Sequence, residues 1–113
     1  MFIITCDPGK KNCAIVVTEM TELIDLTIET RPIETTFKVC HSHTYDLTDS
    51  GTTSTSIVKR LTSILQDIST LYGITIAVVE VQGVNHGRNT LPTLVYNNVV
   101  FGAFYGFFSL ELS

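Results

Sequence analysis

The sequence predicts an α/β fold: a mixed sheet of three antiparallel strands plus one parallel strand, carrying two helices. Three observations predict it. Two short apolar runs, Phe2-Ile-Ile-Thr-Cys-Asp7 and Ile74-Thr-Ile-Ala-Val-Val-Glu80, each end on a carboxylate. Between them, Ile57, Leu61, Ile64, Leu65, Ile68, Leu71 and Tyr72 keep the i, i+4, i+7, i+8 rhythm of an amphipathic helix. That helix delivers the chain directly into the second run, so the return is a crossover and parallel pairing with an earlier strand is expected.

Taken in order, Phe2 to Cys6 reads as a strand, Asp7-Pro-Gly-Lys-Lys-Asn12 as a turn, and Cys13 to Thr18 as a second β-branched strand, together a hairpin. From Glu19 to Thr36 the pattern is mixed. Leu23, Ile24, Leu26 and Ile28 suit strand or loop and Arg31-Pro32 interrupts any regular element, so a long second strand and a connector are expected. Phe37 to Tyr45 alternates in part, with Phe37 and Val39 on one face, as in an antiparallel strand with one face toward solvent.

After the turn cluster 49–54, Thr53 or Ser54 is placed to cap the helix, and Gly73 to stop it in the left-handed conformation. A polar loop, Gly83 to Asn89, precedes a second helix from Thr90 to Phe108 with Pro92 in its first turn. No charge occurs between Arg88 and Glu111, and Gly102 and Gly106 have small-xxx-small spacing, which raises a membrane helix. Asn97 and Asn98 break that run, and the apolar part beyond them is shorter than the roughly 20 residues a bilayer needs. A helix buried against the sheet and against further protein is the better expectation.

At 113 residues and 44% apolar content, the chain suits a single domain with one core. A formal charge of −4 and a pI near 5.1 argue against a protein that coats nucleic acid through a broadly basic surface. They leave room for a local positive patch at Lys10, Lys11 and Arg88. Cys6, Cys13 and Cys40 are odd in number and lack C-x-x-C spacing, and no export signal precedes Asp7. Free thiols in an intracellular, reducing compartment are expected.

If the two acidic runs lie side by side, about 4.8 Å apart, Asp7 and Glu80 emerge together at one rim of the sheet. Like charges that close repel unless a cation or a proton separates them, so the pair outlines a site for Mg²⁺ or Mn²⁺. Lys10, Lys11, Arg88 and Asn89 occupy the flanking loops, where they could hold DNA phosphates, and polar loops are the ordinary alternative. Gln82 shares a face with Glu80 if the strand continues, which would let it orient a water or touch DNA; a solvated strand end serves equally well. Asp46 and Asp49, next to Ser and Gly before a helix, read as turn chemistry. His41 and His43 lie on one face of a strand without a third ligand, so solvent-facing strand histidines rather than a zinc site are expected. Phe101, Phe104, Tyr105, Phe107 and Phe108 read as core or interface rather than as a junction wedge.

With those residues in place, the chain resembles the RuvC-type Holliday junction resolvases of the RNase H-like superfamily. Asp7-Pro-Gly9 ends a first strand, and Val78-Val-Glu80-Val-Gln82 closes a strand after an amphipathic helix. Asp-Pro-Gly-Lys-Lys-Asn12 with Ala14 is similar to the form found in large DNA viruses and mitochondria. The resemblance implies an RNase H-like fold, a metal-dependent endodeoxyribonuclease acting on four-way DNA junctions, and a homodimer matched to two-fold DNA. It assigns Asp7 and Glu80 as metal ligands. It also implies a final strand and an acidic C-terminal helix that are not found before Ser113. Glu111, about 30 Å along the last helix from the loop at Arg88, cannot replace them. The expectation is therefore the N-terminal part of a resolvase: a truncated product, half of a split gene, or a degenerate relative.

Two other classes compete. An Asp-x-Gly turn after a first strand also occurs in actin-like kinase and ATPase folds, which are longer and need a second phosphate loop. A non-catalytic dimerisation or DNA-docking module is favoured by the missing carboxylates and the apolar last helix.

Overall fold

The computed structural model describes residues 1–24, 32–80 and 91–112. The element order is β1 (Phe2–Asp7), β2 (Cys13–Ile24), β3 (Pro32–Tyr45), α1 (Ser54–Leu71), β4 (Ile74–Val79) and α2 (Leu91–Glu111). The sheet runs β3-β2-β1-β4, with β1 antiparallel to β2, β2 antiparallel to β3, and β4 parallel to β1. The mixed sheet and both helices are those expected. β3 starts earlier than the sequence pattern indicated, at Pro32, where a missing N–H is tolerated because it is the first residue of a strand.

Ile4 and Cys6 of β1 and Cys13, Ile15 and Val17 of β2 point to one face, where they meet Ile57, Leu61, Ile64, Leu65 and Ile68 of α1 and Val100, Phe104 and Phe108 of α2. The alternating side chains Ile3, Thr5 and Asp7 therefore stand on the opposite face, which no described element covers. Ile76 and Val78 of β4 share that open face and are exposed.

β4 reaches this arrangement through a bulge. Phe2 pairs with Ile74, but Ile3 pairs with Ile76, so Thr75 is an extra residue, held by its hydroxyl donating to the Phe2 carbonyl at 3.2 Å. Ile74 lies against the core with Ala77 and Val79, and Ile76, Val78 and Glu80 turn outward.

Thr53 caps α1, its side chain accepting from the Ser56 amide at 3.1 Å. The expected left-handed stop at Gly73 is corrected. α1 ends one residue earlier, at Tyr72 in extended conformation, and the positive-φ glycine is Gly51 in the turn before the helix (φ 138°). Because the chain passes straight from helix to strand, an extended cap does the work and no reversal is required. α2 continues to Glu111, beyond Phe108, and is buried along one stripe rather than all round: Val95, Tyr105 and Leu110 are exposed. Among the described residues no helix is long and apolar enough to cross a membrane.

Candidate metal centre at the sheet rim

Asp7 is the last residue of β1, and Glu80 follows β4. Cys6 pairs with Val79, and the Glu80 amide donates to the Cys6 carbonyl at 3.1 Å, so the parallel ladder runs one step past the strand and sets Glu80 beside Asp7. Both carboxylate residues are exposed on the open face. With Thr5, Ala14, Val16 and Val78 they line a shallow depression of about 430 Å³. The adjacency expected from sequence is thus present.

Two hard carboxylates on a rigid sheet, open to water on one side, fit a Mg²⁺ or Mn²⁺ ion that keeps several of its waters. Among the described residues no group of three or more His, Cys, Asp and Glu is arranged to hold a metal, so a two-ion clamp needs ligands beyond this pair. Glu111 stands at the far end of α2, facing Gln66, Asp67 and Thr70 of α1, as the helix length required.

The turn after Asp7 is tightly determined. A Cβ on Gly9 would stand 2.9 Å from the Asn12 carbonyl oxygen, so only glycine fits there. Pro8 is buried. The Lys10 carbonyl accepts from the Leu47 amide at 2.7 Å, and the Lys10 ammonium sits 4.0 Å from the centroid of the Tyr96 ring. Tyr96 is itself tied down, its hydroxyl donating to the Thr52 carbonyl at 3.3 Å. Lys10 and Lys11 line a second cleft on the other side of Asp7, of about 300 Å³, closed by Tyr96 and Asn97 of α2. The contributions of Tyr96 and Asn97 escaped the sequence reading, which used Asn97 only as a break in an apolar run. One signal was available: Asn97, Val100, Phe104 and Phe108 recur at helical spacing. Gln82, Arg88 and Asn89 lie outside the described residues.

Other candidates take ordinary structural roles. Asp46 accepts from both the amide and the hydroxyl of Thr48, which holds its carboxyl below the usual range, and Asp49 pairs with Arg60 at 3.2 Å. Both belong to the turn, as expected. On β3 the expectation of solvent-facing histidines holds for His43 and is corrected for His41, the register setting His41 beside Val17 and His43 beside Ile15 on the helix-bearing side. His41 is half-buried and shares a 2.9 Å hydrogen bond with the Tyr45 hydroxyl, whereas His43 stays exposed. Phe37 and Val39 take the open face instead, 65% and 60% exposed, because Cys40 is an extra residue in the β2–β3 register.

Cys6 and Cys13 are buried, with sulfurs 3.7 Å apart. The hydrogen bond that Cys6 donates to Cys13, together with burial, pushes the Cys6 thiol well above its ordinary pKa. All three cysteines are free.

No family model matches the chain, and no curated protein does. Solved structures do. Thermus thermophilus RuvC in complex with a Holliday junction substrate aligns with a TM-score of 0.68 at 11% identity, covering 97% of this chain and 60% of that one. A further Thermus thermophilus RuvC structure aligns with a TM-score of 0.64 at 12% identity, covering 94% of this chain and 58% of that one. The fold is RuvC-like, within the RNase H-like class, and the chain spans about 60% of the length of the RuvC structure it matches.

Proposed function

We propose that this chain is a resolvase-like nuclease unit: a RuvC-fold protein that binds branched DNA and holds Mg²⁺ or Mn²⁺ between Asp7 and Glu80 for phosphodiester hydrolysis. The observation that carries the proposal is that the β1–β4 ladder, extended by the bond from the Glu80 amide to the Cys6 carbonyl, sets Glu80 next to Asp7 at one rim of the sheet. The bound ion would polarise a phosphoryl oxygen and lower the pKa of a bound water. The protein's part is to fix the two carboxylates on paired strands and to leave the face in front of them open for a strand of DNA. The likeness to RuvC bound to a Holliday junction supports a four-way junction as the DNA form. The Asp-Pro-Gly-Lys-Lys-Asn12 turn favours the viral and mitochondrial type. Two-fold symmetry in such a junction favours a homodimer.

The test is fluorescence anisotropy with a labelled four-way junction and a linear duplex of equal length, in Mn²⁺. A preference for the junction of about tenfold or more is expected, and equal affinities would overturn the reading. Cleavage is expected only when a segment bearing an acidic helix is joined to the chain, because two carboxylates do not complete a two-ion site. A second reading, a non-catalytic DNA-docking or dimerisation module of the same fold, is favoured by the absence of a three-ligand group among the described residues. Junction binding without any Mn²⁺ binding would establish that reading in place of the first.

A further inference from the structure

Asn97 is 8% exposed and is the buried polar residue among the described side chains, on a stripe otherwise made of Val100, Phe104 and Phe108. Its amide is not sealed away from water, since the described side-chain atom buried without a hydrogen-bond partner is Ser69 Oγ, so the amide is open toward the cleft. It lines the cleft beside Asp7, next to Lys10 and Lys11. Lys10 is held in place there by the Tyr96 ring at 4.0 Å, and an ammonium resting on a ring still presents donors on its outer side. Among the described residues no carboxylate lies within ion-pair distance of it. The cleft therefore combines a fixed positive charge with an amide open toward it.

We propose that this cleft is a phosphate subsite, taking a phosphodiester of the DNA strand that crosses the Asp7–Glu80 rim. Lys10 supplies the charge and the Asn97 amide N–H a hydrogen bond. The inference rests on the nuclease reading and deepens it. Asp7 borders the cleft, so the bound phosphate is a neighbour of the one at the metal, and its task is to set the register of the strand.

A purely structural Asn97 and a ligand-binding one give opposite results on substitution. Asn97→Leu is expected to keep or raise the thermal midpoint, because an apolar side chain continues the stripe, while weakening junction binding about tenfold. A lowered midpoint with unchanged affinity would overturn the proposal. Lys10→Met keeps the stem over Tyr96, and should lower the slope of log K against log salt by about 0.7 to 0.9, one phosphate contact. An unchanged slope would count against it. The source of the phosphate is settled by following the Asn97 side-chain amide by NMR. Titration with a DNA tetranucleotide is expected to shift it, whereas equal saturation by inorganic phosphate at the same concentration would overturn the strand assignment. If wild type binds the junction and both variants match it, the subsite fails and the nuclease reading stands. If wild type shows no junction preference, the nuclease reading fails, and the tetranucleotide titration still decides the subsite.

Discussion

The Glu80 amide donates to the Cys6 carbonyl at 3.1 Å, which aligns Glu80 with Asp7 on the neighbouring parallel strand. Two carboxylates on adjacent strands repel in the absence of a cation. Calorimetry with Mn²⁺ should show binding to wild type that falls by roughly ten- to a hundredfold in Asp7→Asn or Glu80→Gln, at least the range seen when only the outer partners of a metal site are changed. Identical isotherms for wild type and both variants would leave the acidic pair without a metal role.

Phe104 is fully enclosed between α2, α1 and the sheet, in ring contact with Phe108 at 4.9 Å. Phe104→Ala should destabilise the protein by about 3–5 kcal/mol, read as a shift of the urea midpoint at constant slope. Tyr105, its exposed neighbour, serves as the control: Tyr105→Ala should change stability by about 0.5 kcal/mol or less.

Thiol reactivity should be split. Cys6 and Cys13 are buried against each other and Cys40 is half-buried on an edge strand. An aromatic disulfide reagent should therefore titrate a single thiol in native buffer and all three in urea. Fast native labelling of Cys6 would contradict its burial and its raised pKa.

The Asp46 carboxyl is held below its ordinary range by hydrogen bonds from the Thr48 hydroxyl and amide. Its folded pKa thus lies below the unfolded value near 3.9. The stabilisation it brings is complete above that value and is lost as pH falls through the folded pKa. Asp46→Asn should flatten the acid limb of a stability profile below about pH 4 and leave the neutral region parallel to wild type. Superimposable acid limbs would show that the Thr48 contacts contribute nothing.

Much of this fold was legible because its signals are local. The apolar spacing from Ile57 to Ile68, the Thr53 cap and the turn at Asp7-Pro-Gly9 each specify their element without distant help. The adjacency of Asp7 and Glu80 was legible for a different reason: a helix leading straight into a strand leaves few topologies. What stayed hidden depends on counting across strands or on packing between elements. Cys40 inverts the faces of β3, so His41 and His43 moved to the helix side and Phe37 and Val39 away from it. Asn97 and Tyr96 join the site only because α2 crosses the turn that holds Lys10, a contact between residues more than eighty positions apart in the chain. Gly73 failed as a left-handed stop because Tyr72 had already turned the chain.

The bulge at Thr75 makes the carboxylate pair a question of parity. Without one surplus residue, the ladder that starts at Phe2 and Ile74 would set Val79 opposite Asp7, and Glu80 would swing under the helices. Two chains could then share every recognisable letter of both acidic segments and differ only by one position in a strand, yet one would display its anions together and the other would hide half of them. For this architecture, spelling identifies a candidate, and the tally of residues along β4 decides whether it can work.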